Sequence, residues 1–263
     1  MSAYSTLALD RSGTVATITL SRPEVLNTFD DDLHREFAAV LRELRREPDL
    51  RAIVLASTGK AFSVGGSFEL MMAAHDSPRE RSRIVDDARR IINELLELVV
   101  PVVAAVHGDA VGLGVTVVLA CDAVVAARTA RLGDPHVRIG LVAGDGGCVM
   151  WPQAAGMLRA RRHLLTGDLL TAEEAFAMGL VTDLVDEPGD VLRQARSIAD
   201  RISELPPMAV QGTKRALNAA TRQRANEVFE LSLANEELTL GSDDLVEAIQ
   251  AHGGRRPGRY TGA

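Results

Sequence analysis

"VVPVVAAVHGDAVGLGVTVVLACDAVVAA", residues 99–127, decides the fold. Its length and apolar character approach those of a membrane-spanning helix. Pro101, His107, Asp109 and Asp122 interrupt it, and three glycines and many valines favour another reading. "PVVAAV" reads as a buried strand, "GDAVGLG" as a tight turn, "VTVVLA" as a short helix and "AVVAAR" as a second strand. The segment is thus expected to be core, and no membrane partner is expected.

A second stretch, "AFSVGGSFEL" (61–70), repeats the design of a strand running into glycines that open a helix. Such a turn leaves unpaired backbone N–H groups at a helix start, where negative charge is favoured. Two of these turns facing one point would hold an oxygen that becomes anionic during a reaction. From spacing alone the plain strand-to-helix connection is the favoured reading, because a lone glycine turn is a weak motif.

Outward from these turns, "STLALD" and "VATITLSR" alternate around Gly13 as a strand pair. "DDDLHREFAAVLRELRREP" carries Leu33, Phe37, Val40, Leu41 and Leu44 at helical spacing. "AIVLAS" is a wholly apolar strand, and "RSRIVDDARRIINELLEL" an amphipathic helix. Beyond residue 150 the pattern turns helical, with one strand in "LVTDLVD". Pro206-Pro207 marks the joint between an α/β core (1–205) and a helical region (206–263).

The 263 residues suffice for a sizeable core, and aromatics at 3% mean that Val, Leu, Ile and Ala build it. The net charge of −7 argues against a nucleic-acid surface. Two cysteines make no disulfide framework, so a reducing compartment is the default. "MSAYSTLALDRSG" lacks the pattern of a signal peptide, and a cytoplasmic location is expected.

Taken together, "AFSVGGSFELM", "PVVAAVHGDAVGLGVTVVLACDAVVAA", "GLVAGDGGCVMWPQAAG" and "LLTGDLLTAEEAFAMGLVTDLV" resemble the crotonase (enoyl-CoA hydratase/isomerase) superfamily. "SRPEVLNTFD" and "SDDLVEAIQAHGGRRPGRY" extend the resemblance over nearly the whole chain. It implies a spiral of ββα units with a C-terminal helical trimerisation region, as a homotrimer or dimer of trimers. It implies a role such as fatty acid metabolism, with an acyl-CoA substrate and no separate cofactor or metal; coenzyme A enters as part of the substrate. By position, the backbone N–H groups of Gly66 and Leu113 would form the oxyanion hole. Arg22 and Asn27, with Ala61, Phe62, Val64 and Gly112, match the part that lines the coenzyme A arm, and Arg22 is a candidate phosphate contact.

The chain departs from the hydratases at both catalytic glutamates, which are matched by Thr116 and by His136 of "DPH". Thr116 is no base near neutral pH, although its hydroxyl can hold a water. His136 can exchange protons there. Nine residues on, Asp145 is the candidate to fix its tautomer, with "VRIGLVAG" as a short strand and turn; as a bland alternative, Asp145 caps the helix that follows. "PH…G…GDG…WP" also resembles the oxocamphor-type β-diketone hydrolases, which use His and Asp here in a retro-Claisen cleavage. Their further histidine is replaced by Leu113.

Three readings result: an enoyl-CoA hydratase/isomerase-type enzyme, a C–C hydrolase of a β-keto CoA ester or cyclic β-diketone, and a CoA-ester-binding protein without turnover. His107 is expected to be a turn residue, "RARRH" (159–163) a solvated helix face, and Glu236 and Glu237 surface residues.

Overall fold

The computed structural model describes residues 4–263; Met1, Ser2 and Ala3 fall outside it. Through the middle of the chain, residues 52–133, consecutive strands alternate between two sheets. Strands β1 (Leu7–Ser12), β2 (Val15–Leu20), β3 (Ala52–Ser57), β5 (Val102–Val106), β7 (Ala123–Ala127) and β10 (Asp183–Val185) form the larger sheet in that order. Only the β1–β2 pair in it is antiparallel. The smaller sheet runs β4 (Ala61–Ser63), β6 (Asp109–Val111), β8 (Arg131–Gly133), β9 (Leu170–Thr171).

Each turn of the resulting spiral is a strand in the large sheet, a strand in the small sheet and a helical segment. The units are β3–β4 with α2 (Phe68–Asp76) and α3 (Pro78–Glu97), then β5–β6 with α4 (Leu113–Leu119). The third is β7–β8 with α5 (Gly147–Ala155) and α6 (Met157–Thr166). This is the expected ββα spiral. Of the small sheet, only β4 matches a strand expected from the sequence; β6 lies inside "GDAVGLG", expected as a turn, and two or three residues give no periodicity to detect in β6, β8 or β9.

The apolar runs of β3 and β5 follow from burial on both faces. Ile53, Leu55, Ala104 and Val106 point into the main core. Val54, Val103 and Val125 point the other way, against Val191, Ala195 and Ala199 of α8 (Val191–Ser203). Helix α1 (Asp31–Leu44) begins at Asp30, whose side chain accepts the Leu33 N–H at 3.0 Å. It buries the expected stripe from Leu33 to Leu44.

Pro207 opens the 34-residue helix α9 (Pro207–Leu240), a position where proline costs nothing because its missing N–H has no partner. Phe229, Leu233 and Leu240 of α9, and Leu245 of α10 (Asp243–Gly253), join the core cluster of the spiral. No helix among the described residues is long and apolar enough to cross a membrane.

Candidate active site

The two glycine turns meet. Gly65 has φ +84°, and a Cβ there would lie 2.8 Å from the Val111 carbonyl oxygen and 3.3 Å from the Leu113 nitrogen. Only glycine allows both the conformation and the approach. The contact places Gly66 and Leu113 on adjacent turns. Among the described residues, neither of their backbone N–H groups donates to a backbone acceptor outside its own element. Leu113 is the first residue of α4, where an N–H has no intrahelical acceptor.

Gly66 and Leu113 line a buried chamber of about 30 Å³, with Phe29, His34, Leu70, Met71, His136, Asp145 and Glu236 among its walls. Gly66, Met71 and His136 also line a groove of about 860 Å³, together with Val64, Gly112, Phe68, Arg138 and His252. His136 thus stands where the groove meets the chamber. The chamber holds about two water-sized groups by itself.

Four polar side chains from separate segments converge there. Asp134 and His136 flank Pro135 after β8; Asp145 precedes α5; Glu236 comes from α9. His136, Asp145 and Glu236 are only 4–5% exposed. The Asp134 carboxylate grips His136 Nδ1 in a short contact and also accepts the His136 N–H at 3.3 Å. Asp145 Oδ2 faces the other ring nitrogen, Nε2, at 3.5 Å. So Asp134 fills the tautomer-fixing place expected for Asp145, and Asp145 stands on the opposite side of the ring. Residues His136–Ile139 form a 3-10 turn closed by Gly140, not the expected strand. The N-cap of α5 is Gly146, and Asp145 accepts the Gly147 N–H.

Burial by itself would depress the His136 pKa. The Asp134 and Asp145 carboxylates outweigh it and hold the imidazole well above its ordinary value. Burial raises Asp145 to about 6, offset in part by His136, the Gly147 N–H and the Thr116 hydroxyl. Burial, then the neighbouring Asp145, pushes Glu236 well above the usual carboxylate range. The cause is common: several carboxylates in one dry cluster cannot all be charged beside one imidazole. Asp145 Oδ1 and Glu236 Oε2, like Asp134 Oδ2, are buried without a hydrogen-bond partner among the described residues.

Ligand atoms of Asp134, His136 and Asp145 lie within 4.8 Å of one another, a spacing that suits metal ions. However, the two carboxylates address opposite nitrogens of one ring, and a ring gives one nitrogen to one ion. The trio is laid out as a hydrogen-bonded chain.

The remaining candidates separate. Val64 and Gly112 line the groove. Ala61 and Phe62 are buried in β4. Thr116 is buried, 3.3 Å from the Gly112 carbonyl oxygen, and supports Asp145. Asn27 ties its loop together: it accepts the Arg22 N–H at 2.9 Å and donates to the carbonyls of Thr58 and Ala61. The Arg22 guanidinium donates to both oxygens of Asp30 and to the Thr28 carbonyl. His107 holds the Gly59 carbonyl in a turn, as expected. Arg159, Arg161 and Arg162 are exposed, also as expected. Glu236 is the correction: it was expected at the surface and is buried in the cluster. The signal was its place in the stripe Phe229, Ser232, Leu233, Leu240, which is buried along the same face. Asp134 left a weaker signal, a carboxylate two residues before a histidine.

The family model for enoyl-CoA hydratase/isomerase matches residues 10–263. The chain belongs to that family. It is 32% identical to (E)-benzylidenesuccinyl-CoA hydratase of Thauera aromatica over 260 residues, 98% of this chain and 99% of the relative. A solved enoyl-CoA hydratase/isomerase from Mycobacterium paratuberculosis superposes with a TM-score of 0.90 at 35% identity, covering 94% of this chain and 99% of that one. A β-diketone hydrolase from the cyanobacterium Anabaena, bound to (S)-3-oxocyclohexyl acetic acid, superposes with a TM-score of 0.83 at 27% identity. The alignment covers 90% of this chain and 95% of the hydrolase. Both the crotonase fold and the likeness to the β-diketone hydrolases, read first from motifs, are thereby supported.

Proposed function

We propose that this family member adds water to C3 of an acyl-CoA thioester. The coenzyme A arm lies in the groove, and the N–H groups of Gly66 and Leu113 hold the thioester oxygen as it gains charge. One observation carries this reading. Two free main-chain donors border the same small chamber as His136, Asp145 and Glu236, at the inner end of a groove large enough for the arm. The unpartnered oxygens of Asp145 and Glu236 would hold the water. Asp145, with a pKa near neutrality, takes its proton. His136 stabilises the exchange from 3.5 Å, so the proton belongs to the pair.

With a 2-enoyl thioester the water oxygen bonds to C3, the double-bond electrons move onto the thioester oxygen, and the enolate collapses as C2 takes a proton. The parent family chemistry is retained with different side chains. A second reading has its own support. With a 3-oxoacyl thioester the same water attacks the C3 carbonyl, the C2–C3 bond breaks, and its electrons enter the same oxyanion site. The products are a carboxylic acid and a shorter acyl-CoA. That route needs a neutral acid for the ketone oxygen, and Glu236 is a carboxyl group whose pKa burial and the neighbouring Asp145 push well above the usual carboxylate range.

The deciding experiment is mass spectrometry of products from paired 2-enoyl- and 3-oxoacyl-CoA substrates. Gain of one water without cleavage supports hydration; cleavage supports the second reading. His136→Ala should lose at least about a hundredfold in kcat/KM on the preferred substrate. Thermal stabilisation by these ligands with no product from either series would leave only binding and refute both reactions.

A further inference from the structure

The reaction above leaves one proton unassigned. It belongs to the pair of His136 and Asp145, and nothing within that pair decides on which side it rests. A third carboxylate decides it. The Asp134 side chain has no exposure, and its Oδ1 faces both the His136 backbone N–H and His136 Nδ1. A Cβ on Gly147 would collide with Asp134 Oδ2. Glycine there lets that oxygen lie against the first turn of α5, where negative charge is favoured. Both oxygens of Asp134 thus meet the surroundings of a carboxylate anion.

A buried anion is costly unless it is paired. Among the described residues the one ion-pair partner of Asp134 is the His136 ring. If the shared proton rested on Asp145, Asp134 would be a buried anion beside a neutral ring. Resting on Nε2, the proton makes the ring an imidazolium that donates to Asp134 through Nδ1 and faces Asp145 Oδ2 at 3.5 Å.

The other groups around the ring leave this balance standing. Glu236, from α9, is pushed well above the usual carboxylate range by burial. Burial lowers His34 of α1 and raises the Cys148 thiol of α5 to about 11. On the outer side of the turn Arg138 is held by Asp168. From α10, Asp244 takes the N–H groups of Thr261 and Gly262, and His252 packs edge-on to Phe68.

We propose that Asp134 is a positioning residue: by holding Nδ1 it keeps His136 an imidazolium whose Nε2–H faces Asp145, so that Asp145 alone carries the proton of the reaction. When water attacks, its O–H bond breaks, the proton passes to the Asp145 carboxylate, and the ring keeps both of its own. The inference rests on the acyl-CoA reading above and assigns the proton that reading leaves to the pair.

The test uses the whole protein with isotope-labelled histidine rings, and His136→Gln identifies the His136 signals. Both His136 ring nitrogens should stay protonated up to about pH 8, well past the ordinary imidazole pKa of about 6.5. A His136 ring that is neutral at about pH 7 in the natural protein overturns the proposal, whether or not any variant folds. Asp134→Asn keeps an oxygen for the His136 backbone N–H and removes the charge. Loss of a negative charge lowers the pKa of its neighbours. In the variant His136 should therefore lose its proton at lower pH than in the natural protein. The natural rate on the preferred acyl-CoA should rise through Asp145 ionisation and then stay level. The Asp134→Asn rate should instead turn bell-shaped, and by about pH 8 stand about tenfold below its own maximum. A loss of equal size at every pH, the mark of a residue that only holds the turn, overturns the proposal. The ring signals are read without substrate. A protein that turns over no acyl-CoA therefore refutes the reaction, while the charge of the His136 ring still decides the role of Asp134.

Discussion

The rim and the floor of the candidate site are built on opposite principles. The rim is made of backbone, from two turns each contiguous in sequence, Ser63–Gly66 and Val111–Gly114. Its donors are main-chain N–H groups aimed by glycine conformations, such as φ +84° at Gly65 and +57° at Gly112. The floor is made of side chains from distant segments, Asp134 with His136, Asp145 and Glu236, and its properties arise from mutual burial. A backbone rim is indifferent to the side chain that carries it, which is why Leu113 is tolerable there. A titratable floor changes with every substitution, because each group sets the protonation of the others. One scaffold can therefore keep a backbone rim and exchange the side chains beneath it.

The strongest way to break this contrast is to delete a rim donor without disturbing its element. Leu113→Pro places proline at the first position of α4, where it is accepted, and removes the N–H. Turnover should fall by about 10²–10³, whereas Leu113→Met, which keeps the N–H, should stay within a few fold. Equal rates for the two variants would mean that the rim does not bind the reacting oxygen.

The floor is sharpened by pH. Folded Asp145 holds its proton more tightly than an unfolded aspartate. Its contribution to stability is complete below about pH 4 and is lost as pH rises through about 6. Its basic form appears over that same interval, so turnover should rise while stability falls. Asp145→Asn should flatten the melting-temperature change between pH 4 and 6 and abolish the rising limb of the rate. Stability that increases across this interval relative to the variant would contradict the burial argument.

The smallest effect is expected away from both. Arg22 is committed to Asp30 in a partly exposed pair with side chains 18% and 38% exposed. Arg22→Ala should cost less than about 1 kcal/mol in stability. It should change KM for an acyl-CoA by less than about threefold. A tenfold rise in KM would show that the guanidinium leaves Asp30 to meet a phosphate.

How much was legible depends on range. The paired strands at the start, α1, β3, β5, α4 and β7 follow from local periodicity and turn chemistry, and the glycine turns announced a site because strand, glycine and helix are adjacent in the chain. His136 and Asp145 were visible as residues standing where the family places other chemistry. Asp134's grip on Nδ1 left only the weak signal of a carboxylate two residues before a histidine, whereas the burial of Glu236 left only its place in the α9 stripe and the chamber face of His34 left none that is local, since each depends on groups that the chain does not put side by side.

The sequence by itself determined the buried strands and the glycine turns of the rim, because burial on two faces writes apolar runs into the strands and a left-handed turn admits little but glycine. Only the tertiary structure decided the floor. The Glu236 carboxyl in α9 is pushed well above the usual carboxylate range because the fold brings it, 91 positions on from Asp145, into the same buried cluster, and desolvation beside other carboxylates is a property of the assembled site.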